Sequence, residues 1–533
     1  MFLIETILIL ITLNFPVQII AGSPEETTCI AAVDDGLVVG SNGLSVNGKR
    51  ICKYLGLPYA LPPIGNLRFE PPVMLKWTGI QNFVEKPEMC PQPINLEKGD
   101  DTTIKGNEDC LTLSVYTPLQ LNSSKLLPVF FWIHGGRPLG FLSIPRLNIT
   151  GNLGLKDQVM ALQWVQRNIA SFGGNPRKVT LVSWSAGASS ATYHMYSKQS
   201  KGLFNRVIAM SGTILNPWAF LERPDFCGNN FLEFTGFQTK NELKNASVFQ
   251  LMPRLREKLM FSYFGQYHFC FIPTIEPVWV NHRFLKKSPI RLVKSPPVNN
   301  VTLMIGYTNL ESEILYPSIN YFMSNFNYAN KNETYSEIIQ DYIQNFLDDN
   351  FQSDDEQRRV LLRLATIADT FYGIREFIQY YSKNSKSRIY AYQFSFDGHF
   401  GHFKRTANKK YRHISGAVHG DELGYLFVPF FEDISGHRFD SNSKEIVMSK
   451  RMVEMWTNFV KYGNPTPILT DLIQTKWKPY NESMEVLNID NVLQMQQDPF
   501  TKNYLYEFWN EIYRCLHKFK CEIFNNRTLT ANQ

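Results

Sequence analysis

The sequence predicts an α/β fold on a mostly parallel central sheet, and three observations carry that expectation. Short apolar runs bounded by Gly and Pro recur in the first half, at Leu127–His134 (LPVFFWIH), Lys178–Ser183 (KVTLVS) and Arg206–Ser211 (RVIAMS). Runs without polar alternation suit strands covered on both faces. Between the first two, Leu155–Phe172 carries Val159, Leu162, Val165 and Ile169 at helical spacing, so strand, helix and strand follow in βαβ order. No Gly/Ser- or Pro-rich linker, charge block or internal repeat interrupts the chain from about Ala31 to about Cys515. That continuity predicts a single domain over residues 23–533.

Taken in chain order, the first element is an apolar run from Ile7 to Leu13, broken by Asn14, Pro16 and Gln18 and followed by the small residues Ala21 and Gly22. Residues 1–22 therefore read as a secretory signal peptide, too short to span a membrane. No later segment reaches spanning length, so a secreted chain without a transmembrane span is expected. The helix from Leu155 stops at Gly173, Gly174 and Pro176. In the C-terminal third, Glu445–Lys461 is amphipathic and ends at Gly463 and Pro465. Lys502–Lys518 lines up Leu505, Phe508, Trp509, Ile512 and Leu516 on one face. Such a stripe serves a dimer contact or a membrane surface in some proteins, but core packing is its ordinary use.

Composition narrows the class. With 44% hydrophobic, 14% aromatic and 19% charged residues over 533 positions, the chain can bury a large core, which excludes disordered, collagen-like and coiled-coil proteins. Its 54 basic and 48 acidic residues give a net charge of +6. They are dispersed, without the basic runs of a nucleic-acid or membrane-surface binder. Eight cysteines in a secreted chain favour disulfides that support a core, with pairing not readable from spacing. Asn-x-Ser/Thr sequons at Asn122, Asn148, Asn245, Asn300, Asn332, Asn481 and Asn526 are expected on the surface as glycosylation sites.

Two near-motifs fail on chemistry. Gly43–Lys49 (GLSVNGK) has the glycine and lysine of a phosphate loop, but Arg50 replaces the hydroxyl and a strand-like segment follows. His399, His402 and His413, and likewise His419 with Asp421 and Glu422, lack zinc-ligand spacing. No metal or cofactor is expected.

The informative segment is Val182–Gly187 (VSWSAG), where a strand ends at Ser185 and the small residues Ala186, Gly187 and Ala188 open a helix. On such an elbow the serine hydroxyl is pushed out of the sheet, and small neighbours let the backbones approach. Here Ser183 stands in place of the usual first glycine. Downstream, Ile305–Glu311 (IGYTNLE) ends a strand with a carboxylate, and Gly416–Leu423 (GAVHGDEL) places His419 in a glycine-bounded loop. Serine, acid, histidine is the order used on an α/β-hydrolase sheet. In that arrangement Ser185 attacks an ester carbonyl, His419 carries its proton to the leaving alcohol, and Glu311 holds the imidazole tautomer.

Several stretches then carry a resemblance to a known family. Gly56–Pro63 (GLPYALPP), Leu67–Phe69 (LRF), Asn107–Val115 (NEDCLTLSV), Trp132–Gly136 (WIHGG), Gly151–Gly174 and Phe204–Gly212 resemble type-B carboxylesterases, the family shared with cholinesterases, over nearly the whole chain. FSFDG at Phe394, GAVHGDELGYLF at Gly416 and RMVEMWTNFVKYGNPTP at Arg451 resemble its insect branch. The resemblance implies an α/β-hydrolase fold and hydrolysis of small-molecule esters. It implies Ser185, Glu311 and His419 as triad, and Gly135, Gly136 and Ala186 as oxyanion-hole donors. It also implies a disulfide between Cys90 and Cys110, a second between Cys227 and Cys270, and an Arg68–Glu108 ion pair, while Cys29, Cys52, Cys515 and Cys521 receive no partner.

The chain departs from the family at one junction. Where the family has a third glycine after His134-Gly135-Gly136, this chain passes directly to Arg137 and Pro138. The resemblance implies either a deletion of roughly thirty residues here, enough for one helix and one central strand, or a gene-model or splicing artefact at the junction. The loss leaves backbone groups without partners unless the sheet re-pairs. Ser183 and Ser312, which replace glycines beside Ser185 and Glu311, add bulk near the site. Two functions are therefore weighed: a secreted serine carboxylesterase, and a catalytically impaired cholinesterase-like binding or adhesion protein, or defective splice product, with a relic triad.

Overall fold

A computed structural model describes residues 7–11, 29–45, 48–93, 104–119, 125–135, 139–251, 271–312, 333–401, 404, 415–427, 440, 442–499 and 503–518. At its centre lies an 11-stranded sheet. In chain order its strands are β1 (Ile7–Ile11), β2 (Ser41–Leu44), β3 (Arg50–Pro58), β4 (Thr112–Pro118), β5 (Leu127–Ile133) and β6 (Gly174–Trp184). They continue with β7 (Arg206–Met210), β8 (Thr302–Thr308), β9 (Ile389–Phe394), β10 (Glu485–Ile489) and β11 (Leu493–Gln497). Across the sheet the order is β11-β10-β9-β8-β7-β6-β5-β1-β4-β3-β2. Every pair from β10 to β1 is parallel, and the edges are antiparallel.

The strand interiors lack polar alternation because both faces are covered. On β5, Val129, Phe131 and Ile133 pack into one core while Phe130 and Trp132 pack into the other, as the period of two requires. The first core is closed by α1 (Leu153–Asn168) and α2 (Ala186–Tyr196) through Leu155, Val159, Leu162, Val165, Ala188 and Ala191. The second is closed by α3 (Lys444–Tyr462) through Met448, Met452, Trp456 and Phe459. Gly463, at φ 67°, ends α3 in the left-handed conformation that glycine takes without strain. The C-terminal stripe proves to be core: in α4 (Tyr504–Lys518), Leu505, Phe508, Trp509 and Ile512 are buried.

The expected α/β-hydrolase architecture is present, with one unexpected element. β1 stands between β5 and β4, so these two strands do not pair directly with each other. Ile7 to Leu10 run parallel to Val129–Trp132, and Leu8 to Ile11 run antiparallel to Tyr116–Leu113. These residues belong to the segment that reads as a leader. An unbroken apolar run is what both a leader core and a two-face-buried strand require.

Covalent and ionic ties hold the edge region. Cys90 pairs with Cys110 as the resemblance implies. Cys29 and Cys52, without assigned partners in the sequence, pair with each other and fasten the small sheet of Ile30–Val33, Gly36–Val39 and Ile80–Asn82 to β3. Cys227 is disulfide-bonded; Cys270 lies outside the described residues, as does Cys521. Arg68 makes the expected fork with Glu108, at 2.8 and 2.5 Å, and donates to the carbonyls of Leu243, Lys244 and Ala246. Gly43 and Leu44 belong to β2, paired antiparallel with Ile51 and Arg50 of β3. Among the described residues no helix is long and apolar enough to cross a membrane, and none group as a metal site.

Candidate active site

The site is assembled at the C-terminal ends of the parallel strands, where such sheets collect their functional side chains. β6 ends at Trp184 and α2 begins at Ala186, leaving Ser185 alone to turn the chain, with φ 58° and ψ −127°. A side chain-bearing residue is strained there, so the surroundings must impose the conformation. The Ser185 N–H donates to Met210 O at 2.8 Å. A Cβ on Gly187 would sit 2.4 Å from Ile133 O, and one on Gly212 would sit 2.4 Å from Ser185 O. The small residues of the elbow are thus demanded by backbone contact. Ser183, in the place of the usual glycine, is fully buried, and its hydroxyl donates to Ile208 O at 3.0 Å. The added oxygen is absorbed by the neighbouring strand.

Glu311 follows β8, and His419 lies in a loop bridged to it through Leu310 and Val418. The imidazole stands between its expected partners, with Nε2 2.9 Å from Ser185 Oγ and Nδ1 2.5 Å from Glu311 Oε2. Glu311 is 1% exposed, and its other oxygen accepts from Ser211 Oγ at 2.6 Å and Thr308 N at 2.7 Å. A buried carboxylate with these donors is fixed in orientation as well as solvated. The indole of Trp184 lies against the His419 ring, centroids 4.7 Å apart. Ser312 is buried, with its N–H donating to Thr366 Oγ1 at 3.2 Å.

The oxyanion candidates are only partly described. Ala186 opens α2 directly after Ser185. A Cβ on Gly135 would stand 3.9 Å from Ser185 Cβ, so this backbone borders the nucleophile. Gly136, Arg137 and Pro138 lie outside the described residues.

Comparison with known proteins places these features. The Carboxylesterase family matches residues 27–138 and 137–509. The chain belongs to this family. Esterase E4 of Myzus persicae is 29% identical, over 85% of this chain and 89% of its own length. Esterase FE4 of the same aphid is 30% identical, over 81% and 84%. Venom carboxylesterase-6 of Apis mellifera is 26% identical, over 86% and 90%. Hydrolysis of carboxylic esters is the chemistry that carboxylesterase membership carries. The two matched stretches meet at Arg137 and Pro138, where the sequence departs from the family, and β1 lies before the first of them.

Two buried groups beside the carboxylesterase site have no strong sequence signal. Ser211 follows β7 at φ 55° and donates to Glu311; only its place after a strand hints at a role. Glu422, which the sequence offers as one of a rejected metal trio, is fully buried with Oε1 3.5 Å from Ser211 Oγ. Desolvation first, then the neighbouring Glu311 charge, holds its carboxyl well above the usual range. Burial beside a second carboxylate favours the neutral form of Glu422. Its neighbour Asp421 accepts from Val418 N at 2.9 Å, an intraloop contact. The sequons Asn148, Asn245, Asn300 and Asn481 are exposed, whereas Asn122, Asn332 and Asn526 lie outside the described residues.

Proposed function

We propose that this protein is a secreted serine carboxylesterase that hydrolyses small carboxylic esters through an acyl-enzyme on Ser185. The single observation carrying this reading is the continuous hydrogen-bonded line from Ser185 Oγ through His419 to Glu311 Oε2. Ser185 Oγ adds to the ester carbonyl while His419 Nε2 takes the hydroxyl proton. The tetrahedral intermediate collapses, the C–O bond to the alcohol breaks, and Nε2 returns the proton to that oxygen. Water then adds to the acyl carbonyl and gives a proton to Nε2; the bond to Ser185 Oγ breaks, Nε2 returns the proton to that oxygen, and the acid leaves. The Glu311 carboxylate orients Nδ1–H and offsets the imidazolium charge. The Ala186 N–H, at the positive end of α2, and the amides of Gly135 and Gly136 receive the oxyanion.

Secretion is supported by the leader-like residues 1–22, the disulfides and the exposed sequons, which we take as glycosylation sites. The chemistry requires no metal or cofactor. A fluorophosphonate probe tests the reading. The expected result is covalent label on Ser185 in the secreted protein and none in Ser185→Ala; absence of label in folded wild type would overturn it.

A second reading has its own observation, the loss of the glycine after Gly136. Pro138 confines Arg137 to extended conformations, and one missing oxyanion donor costs about 10²- to 10³-fold in turnover. On that reading the chain is a catalytically impaired relative that binds or adheres. Label on Ser185 with turnover depressed by that factor would favour it.

A further inference from the structure

The loop carrying His419 is gripped from both ends by one buried cation. Lys404 is 6% exposed. Its Nζ donates to Gly416 O at 2.8 Å, three residues before the histidine. Its own backbone N–H donates to Asp421 Oδ1 at 3.3 Å, two residues after it. Asp397 completes the clasp, lying 2.6 Å from Lys404 Nζ and accepting from Gly416 N at 3.3 Å. Asp421 turns its other oxygen to Val418 N, and Asn309 Oδ1 accepts from Ala417 N at 2.8 Å. A Cβ on Gly401 would lie 2.8 Å from the Asp421 carboxylate carbon, so that approach depends on a glycine.

A lysine is an expensive means of filling space in a protein interior, since its ammonium must leave water. Here it gains a carboxylate and a loop carbonyl, and both lie on the path to the imidazole. Gly416 at φ 131° gives the loop entry a backbone freedom that the clasp removes. We propose that Lys404, assisted by Asp397, is a positioning residue that holds the His419 imidazole in line between Ser185 and Glu311. The proposal rests on reading His419 as the base, and it concerns a residue outside the reacting groups.

Lys404→Met, Lys404→Arg and Asp397→Asn test it, with 4-nitrophenyl butyrate turnover, the rate of Ser185 labelling by a fluorophosphonate, and thermal melting. A shift of about 1 Å in a reacting group costs on the order of 10²-fold. Lys404→Met is therefore expected to lower kcat and labelling rate about 10- to 100-fold with KM within about twofold, and Lys404→Arg to recover most of that loss. If Lys404→Met does not fold, Asp397→Asn decides, because that side chain is 30% exposed and its amide keeps the shape. A several-fold drop in its kcat at unchanged KM supports the clasp. Wild type that labels, with folded variants labelling at the same rate, overturns the clasp and leaves the catalytic reading intact. Wild type that does not label removes both.

Discussion

The two sides of β5 are built differently. Towards β6, β7, β8 and β9 the sheet proceeds by parallel steps from within the family-matched region. Ser185, Glu311 and the anchor of the His419 loop sit at the ends of those strands. Towards β4, β5 meets a strand drawn from the first residues of the chain, outside that match. The hydrogen-bonded line of Ser185, His419 and Glu311 stands on the flank whose parallel strands are immediate neighbours in the sheet. Gly135, in our proposal an oxyanion donor, follows the end of β5, the strand shared by both flanks.

The sharpest test of this contrast lies on the intact side. Ser185→Ala or His419→Ala is expected to reduce ester turnover by about 10⁴-fold or more. Neither side chain is part of the core, so melting temperature should hardly move. Steady-state turnover and a thermal melt decide; residual turnover within tenfold of wild type would detach the geometry from catalysis.

The flank that carries β1 should answer in stability first. Deleting residues 1–22 removes β1 and leaves facing edges of β4 and β5 in a sheet whose strands are buried on both faces. Each unpaired buried backbone group costs about 1–3 kcal/mol, against a whole-domain stability of about 5–15 kcal/mol. The shortened chain is expected to aggregate or to melt far below the full one. A leader cleaved at Gly22, as the proposed function takes residues 1–22 to be, cannot also supply β1, so the intact mass of the protein recovered from the medium decides: a folded chain beginning after Gly22 would remove β1 from the mature sheet. Equal melting of the two forms would show that β4 and β5 close on each other.

Where the flanks join, Gly187 touches the end of β5. An added methyl at 2.4 Å from Ile133 O and 2.6 Å from His134 O must push the elbow and the oxyanion strand apart. Gly187→Ala is expected to cost about 1–3 kcal/mol and to lower kcat about 10- to 100-fold, read by denaturant unfolding and turnover. A kcat loss without a stability loss would place the effect in the oxyanion loop alone.

How much of this was legible follows from the range of each interaction. The strand of Leu127–Ile133 and the helix of Leu153–Asn168 announce themselves through local pattern, the strand within one residue at its end and the helix two residues off at its start, its last expected turn being the separate 3₁₀ turn Ile169–Phe172. Ser185, Glu311 and His419 were readable because each ends or follows a recognisable segment, in an order that the sheet imposes. Glu422 and Lys404 were not. Their significance comes from contacts more than ten residues away, with Ser211 and Gly416, and nothing local distinguishes either from a solvated charge. Cys29 and Cys52 pair across 23 residues without a local mark. For Ile7–Ile11 the difficulty is different, since one apolar pattern satisfies both an export leader and a central strand.

The smallest expected effect returns to the intact flank, at Glu422. Burial and the Glu311 charge raise its carboxyl pKa in the folded protein from 4.5. Above pH 4.5 the unfolded chain gives up this proton while the folded protein keeps it, so this group's contribution to stability declines as pH rises towards the folded pKa. Gln cannot ionise in either state and removes that decline. Glu422→Gln should therefore match wild type near pH 5 and melt a few degrees higher at pH 8, with turnover within a few-fold because the neutral isostere preserves the packing behind Glu311. Thermal melts across that interval check the sign. A Gln variant that loses stability as pH rises just as wild type does would mean that Glu422 releases its proton in the fold, placing a second negative charge behind the triad that His419 must feel.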